Sequence, residues 1–290
     1  MKGKRRIIGF MQGRFSPLVN GKIQAFPWGD WTEEFSVANE NDFNIIEWTL
    51  DQDRLYENPF MTDAGQREIK ALSNKFDISI LSLTGDCFMQ APFYKVDGFN
   101  SESLLLDLRN IIISCGKLGV KYIVFPLVDN GRLETQKQEM MLKDGLALVD
   151  DLLFQRGIKI VFESDFPPDK LKSFISEFSP ENYGVNYDIG NSAGLGYNSK
   201  EEISAYGDRI LNVHIKDRLL KGTTVPLGKG NANIPKVLKE LSEINYDGNY
   251  ILQTARAVNE NHAGVLCQYR DQVIEWIKYE RSSAYEHGIK

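Results

Sequence analysis

Histidine and cysteine are both scarce in this chain, three of each in 290 residues. Cys87, Cys115 and Cys267 lie far apart and form no paired motif. That excludes a disulfide framework and a thiolate zinc site, and fits reduced thiols in a cytoplasmic protein. No apolar run approaches the length of a membrane span. The basic cluster Lys2-Gly-Lys-Arg-Arg6 is not followed by the apolar stretch of a signal peptide, because Gly9, Gln12 and Arg14 interrupt. Nor is there a positive excess: 34 basic residues face 40 acidic ones, a net charge of −6. A nucleic-acid backbone is therefore not the expected partner. Linkers, low-complexity runs and composition shifts are absent as well, so residues 1–290 read as a single domain.

What is present is alternation. Short apolar runs over residues 7–11, 43–48, 78–83, 122–125, 158–162, 183–187, 210–215 and 250–252 have the length of buried parallel strands. Helical stretches lie between them. Residues 31–41 open near Thr32, and residues 66–76 form a second helix. Leu104, Leu108, Ile111, Cys115 and Leu118 form an apolar stripe at helical spacing, stopped by Gly119. Leu142, Leu146, Val149 and Leu153 make another, stopped at Gly157. Pro167-Pro168-Asp169 opens a helix to Phe178, and residues 201–206 form a short one. Asn233 reads as the cap of a helix with Val237, Leu238, Leu241 and Ile244 on one face. A last helix, over about residues 263–280, turns Leu266, Tyr269, Val273 and Ile277 inward. Eight strand–helix alternations close a parallel barrel, so the fold class is α/β, a single (β/α)8 TIM barrel. An open doubly wound sheet would more often carry G-x-G-x-x-G after its first strand, and Gly9–Gly13 does not fit that spacing.

In such a barrel the site forms where the strands end at their C-termini. Those ends carry Gln12 and Arg14, Glu47, Asp86, Glu163, Asp188, His214 with Lys216 and Asp217, and Gln253 with Arg256. Glu163, Asp188, His214 and Gln253 come from strands five to eight, which are neighbours in the ring. Two carboxylates, an imidazole and an amide oxygen form a mixed set suited to one divalent ion, Mn²⁺, Mg²⁺, Co²⁺ or Zn²⁺. Taken singly, Asp188 also reads as a turn cap and His214 as a satisfied core histidine. Glu47 reads equally as a buried ion-pair partner or a substrate contact. Arg14, Lys216, Arg256 and Lys229, the last within Gly228-Lys-Gly230, are the groups available to an anion. Phe15, Trp28, Trp48, Phe88 and Phe93 are aromatics near the loops that could stack on a sugar ring.

Six segments carry a resemblance: Gly9-Phe-Met-Gln-Gly-Arg-Phe-Ser-Pro17, Ile45-Ile-Glu-Trp48, Val161-Phe-Glu-Ser164, Asn186-Tyr-Asp-Ile-Gly-Asn191, Val213-His-Ile-Lys-Asp-Arg218 and Ile251-Leu-Gln-Thr-Ala-Arg256. In order and spacing the chain resembles the xylose-isomerase-like barrel superfamily, in its sugar phosphate isomerase/epimerase branch. The ketohexose and L-xylulose 5-phosphate 3-epimerases of that branch hold one divalent cation with Glu, Asp, His and Glu from strands five to eight. The resemblance thus implies metal binding by Glu163, Asp188 and His214. At the fourth position this chain has Gln253, and an amide ligates a metal without being able to act as a base. Asn191 stands where those epimerases commonly carry a histidine.

The expected chemistry is proton transfer beside a carbonyl through an enediolate, with Glu163 as base and the metal as Lewis acid. Arg14, Glu47, Asp86, Asn191, Lys216 and Arg256 are the expected substrate contacts. For epimerisation a second base must come from Asp86, Glu47 or Lys216. Dehydration of a keto-polyol, as in the inosose dehydratase branch, is the alternative reaction; a barrel that binds metal or sugar without catalysis is the alternative class. Three histidines do not supply a three-zinc apurinic endonuclease, nor xylose isomerase proper. The expected partner is a small sugar or sugar phosphate, with no membrane and no nucleic acid, and self-association is left open.

Overall fold

The computed structural model describes residues 8–286, with side-chain detail through residue 278. Lys2–Arg6, Ile7 at the head of the first expected strand and His287 lie outside what is described, whereas Leu266, Tyr269, Val273 and Ile277 of the last helix are all buried. Among the described residues, eight parallel strands close a barrel: β1 (Ile8–Met11), β2 (Ile45–Thr49), β3 (Ser79–Thr84), β4 (Tyr122–Leu127), β5 (Lys159–Ser164), β6 (Tyr183–Asp188), β7 (Ile210–Ile215) and β8 (Asn249–Leu252). Each pairs with its neighbours in sequence, and β8 closes the ring on β1 through Ile8–Tyr250, Gly9–Ile251 and Phe10–Leu252. Asp188 and His214 are register partners across β6 and β7, which puts both side chains at one level.

The period-2 alternation of a strand divides the residues between two faces. Outward residues such as Phe10, Trp48, Phe125, Phe162 and Val213 join the large core beneath the helices. Inside the barrel, Met11, Ile45 and Ile251 form a small separate apolar cluster with Leu81 packed on it. Gly9 faces this cluster. A Cβ there would meet Ile45 Cγ2 at 2.7 Å and Ile251 Cδ1 at 2.9 Å, so a side chain does not fit. Above the cluster the interior turns polar.

The helices follow the sequence pattern with some corrections. They are α1 (Glu33–Glu40), α2 (Asp63–Phe76), α3 (Asp86–Gln90), α4 (Phe99–Leu118), α5 (Gln136–Ala147), α6 (Asp150–Arg156), α7 (Pro168–Ser176), α8 (Ile189–Leu195), α9 (Ser199–Tyr206), α10 (Ile234–Glu243) and α11 (His262–Glu286). The stripe over Leu142–Leu153 spans two helices, not one. The chain breaks at Leu148 and Val149, yet Leu142, Leu146, Val149 and Leu153 all remain buried. β4 runs through Pro126 to Leu127, past the expected end at residue 125. Asn233 takes a left-handed conformation and makes no side-chain cap bond, and Thr32 makes none either. Ile244 sits past the end of α10 and is exposed. Gly119 and Gly157 end α4 and α6 with φ of 80° and 61°, as the stop positions require.

Candidate active site

The polar layer inside the barrel is built by alternation from β2, β3, β6 and β7. Glu47 is fully enclosed there. Its Oε2 accepts from Ser82 Oγ at 2.5 Å and Asn212 Nδ2 at 2.9 Å, and its Oε1 from Thr84 Oγ1 at 2.5 Å. His214 Nε2 lies 2.7 Å from the same Oε1. With both oxygens committed and no exposure, Glu47 is the buried partner of His214. The His214–Glu47 pair draws the carboxyl below its ordinary range although burial pushes the other way. Burial alone would push the His214 imidazole down, but Glu47 and Glu163 on its two nitrogens carry it up to about 10.

At the upper rim of this layer stands the expected constellation. Glu163 at the end of β5, Asp188 at the end of β6 and His214 on β7 each offer one ligand atom, all within 4.8 Å of one another. His214 presents Nδ1, 3.2 Å from Glu163 Oε2 and 3.9 Å from Asp188 Oδ2. Asn186 Nδ2 donates to Glu163 Oε2 at 2.8 Å, and Asn191 Nδ2 to Glu163 Oε1 at 2.7 Å. Arg218 in turn holds Asn191 through its Oδ1 at 2.9 Å. Asp188 plays two parts. Its Oδ1 caps α8 by accepting from Asn191 N at 2.8 Å, while Oδ2 faces the cluster.

Gln253 and Lys216 complete this side of the mouth. Lys216 Nζ donates to Asp188 Oδ2 at 2.8 Å and to Gln253 Oε1 at 2.7 Å. Gln253 Nε2 donates to Gln24 Oε1 at 3.0 Å, and Gln24 Nε2 to Asp86 Oδ2 at 2.7 Å. Gln24 therefore bridges the mouth from the loop after β1. Asp86 begins α3 on the opposite side of the ring. Burial, with Asp51 and Glu163 in range, pushes its carboxyl up to about 7 against the Gln24 bond.

Arg256 and Arg14, the remaining expected contacts, bond to backbone carbonyls. Arg256 donates to the carbonyls of Gly13 and Ser16, joining the loop after β8 to that after β1. Arg14 is buried and donates to Ile23 O at 2.9 Å. Gly228 and Gly230 do not offer their N–H groups to an anion, because both donate to Asp217 Oδ2 at 2.9 Å while Ala232 N reaches Oδ1 at 3.1 Å. The loop aromatics pack on one another: Trp48 against Phe26, Trp31 and Phe60, Phe88 stacked on Phe125, Phe93 against Tyr94, and Phe15 against Phe10. Trp28 carries the Arg54 guanidinium at 3.8 Å. Gln24, Asn186, Asn212 and Arg218 were not anticipated. For Asn186 and Asn212 a signal existed, a polar residue two positions before a strand-end ligand and so on the same face.

A family description, xylose isomerase-like TIM barrel, matches residues 35–277. The L-ribulose-5-phosphate 3-epimerase of Salmonella heidelberg is 21% identical over 273 residues, covering 90% of this chain and 94% of that protein. The solved structure of an L-ribulose 3-epimerase superposes with a TM-score of 0.74 at 14% identity, covering 99% of both chains. That of the IolI protein with a bound zinc atom gives 0.73 at 17% identity, over 94% of this chain and 99% of that one. At these identities the two structures speak to the fold alone.

Proposed function

This chain belongs to the xylose isomerase-like TIM barrel family, and on that premise we propose that it is a divalent-metal-dependent isomerase or epimerase of a sugar or sugar phosphate, with Glu163 as the base. One observation carries the reading: the ligand atoms of Glu163, Asp188 and His214 converge within 4.8 Å at the C-terminal ends of three adjacent strands. The donor set fits a cation. Two carboxylates, a ring nitrogen and the Gln253 amide oxygen are hard or borderline donors, and no thiolate stands among them. Glu47 behind His214 Nε2 fixes the ring so that Nδ1 faces the cluster, the usual support for a metal-binding imidazole. The curated relative named above lends support, since it is an L-ribulose-5-phosphate 3-epimerase.

The chemistry a divalent cation would supply here is Lewis-acid polarisation of a carbonyl, which makes the neighbouring C–H more acidic. Glu163 takes the proton from that carbon onto a carboxylate oxygen. Asn186 and Asn191 hold its two oxygens, so the carboxylate meets the substrate in one orientation. Gln253 accepts no proton, so the two-glutamate exchange of the family's epimerases is closed to this chain. Glu47 is enclosed and cannot replace it. Asp86 and Lys216 remain; Asp86, across the mouth and with its carboxyl near 7, holds a proton to return to the carbon or oxygen.

The test is deuterium exchange in D₂O with Mn²⁺, using L-ribulose, L-ribulose 5-phosphate and a panel of other ketoses. Wild type is expected to incorporate deuterium beside the carbonyl of at least one sugar, and Glu163→Gln to lose this. Incorporation by neither protein, or equally by both, contradicts the proposal.

A further inference from the structure

The site contains a cation of its own. Lys216 Nζ sits between Asp188 Oδ2 and Gln253 Oε1, at 2.8 and 2.7 Å, two of the four groups that the reading above assigns to a metal. Its side chain is only 13% exposed. Nor is its stem loosely placed. A Cβ on Gly190 would lie 2.6 Å from Lys216 Cγ and 2.8 Å from its Cβ, so the lysine packs on the bare backbone of Gly190. The opening residues of α8 thus both cap the helix and seat the lysine. A charge count points the same way. An amide at 253 removes one negative charge from this corner, and the ammonium adds a positive one.

We propose that Lys216 is a resident cation that holds Asp188 and Gln253 together in the metal-free protein, and that an incoming divalent ion must displace it. Asp188 Oδ2 cannot serve both at full strength, and two positive charges within a few ångströms repel strongly in a part-buried site. Metal binding by this chain is therefore weakened by its own lysine, and replacing the ammonium with an uncharged group of similar length tightens it. Binding frees the Lys216 ammonium to face the substrate side of the mouth.

The inference rests on the metal reading, and the experiment separates the two. Chelator-treated wild type, Lys216→Met, Lys216→Gln and Gln253→Glu are titrated with Mn²⁺ in a calorimeter, and their melting temperatures are taken with and without the ion. Both lysine variants are expected to bind Mn²⁺ about tenfold tighter or more. Without metal they melt lower than wild type, because Asp188 has lost its partner, and Mn²⁺ raises their melting temperatures by more than it raises wild type's. Gln253→Glu is expected to tighten binding too. Lysine variants that bind Mn²⁺ no more tightly than wild type overturn the role of Lys216 and leave the metal reading standing. No binding by wild type or either lysine variant overturns both, whatever Gln253→Glu does.

Discussion

His214 Nε2 and Glu47 Oε1 lie 2.7 Å apart with both side chains fully enclosed, 167 residues apart in the chain. The pair joins β7 to β2 through the barrel interior, and the edge of the imidazole that faces Glu163 and Asp188 is set by a group that never reaches the mouth. Glu47→Ala leaves the imidazole, Ser82, Thr84 and Asn212 without their acceptor. Breaking such a pair from one side costs about 3–5 kcal/mol, so urea denaturation should show a loss of this order. Glu47→Gln keeps the shape and should lose less.

Glu34 gives the fold a pH dependence away from the site. It accepts from Gly13 N and Phe15 N beneath the loop after β1. Burial pushes its carboxyl from 4.5 up to about 7, against those bonds. Between these values the folded protein keeps a proton that the unfolded chain has released, so this group's contribution falls as pH rises through the window. The stability of wild type relative to Glu34→Gln should drop by about 3 kcal/mol between pH 4.5 and 7.5. Paired denaturation curves at the two pH values measure it.

Asp217 organises the loop at residues 226–232 by accepting three backbone N–H groups. Asp217→Ala leaves all three without that acceptor. A loss of about 2–4 kcal/mol is expected, from charge-assisted bonds of this kind, together with faster proteolysis within the loop.

Asn191 positions the proposed base without touching the carbon. Asn191→Ala removes the N–H on Glu163 Oε1 and the link to Arg218. Deuterium exchange should slow by about 10–100-fold, as for other groups that orient a ligand. Mn²⁺ affinity should change less. Equal losses in both would assign Asn191 to the metal and not to the base.

The barrel and its candidate site were legible because the strands are apolar runs, most of which end in polar side chains. Glu163, Asp188 and His214 announce themselves in this way, and the ring order makes them neighbours. The partners of those groups were less visible. Glu47 meets His214, and Gln24 meets Gln253 and Asp86, only because the barrel closes, and sequence separation carries no trace of closure. Lys216 was legible as a strand-end group, but its seat was not, because the space that admits it is a missing Cβ on Gly190, in the helix that follows another strand. Arg14 and Arg256 looked like anion binders, but buried guanidinium groups find backbone carbonyls as readily as phosphates, and a list of charges does not separate the two. The break at Leu148 and Val149 was hidden because the apolar stripe runs through it.

The central claim is that these strand ends bind one divalent ion. The most direct measurement is the metal content of protein dialysed against mixed Mn²⁺, Mg²⁺, Co²⁺ and Zn²⁺, beside Asp188→Ala and His214→Gln checked for folding by circular dichroism. The account predicts about one equivalent in wild type and its loss in both folded variants. Metal-free wild type, or full occupancy retained in the variants, would contradict it.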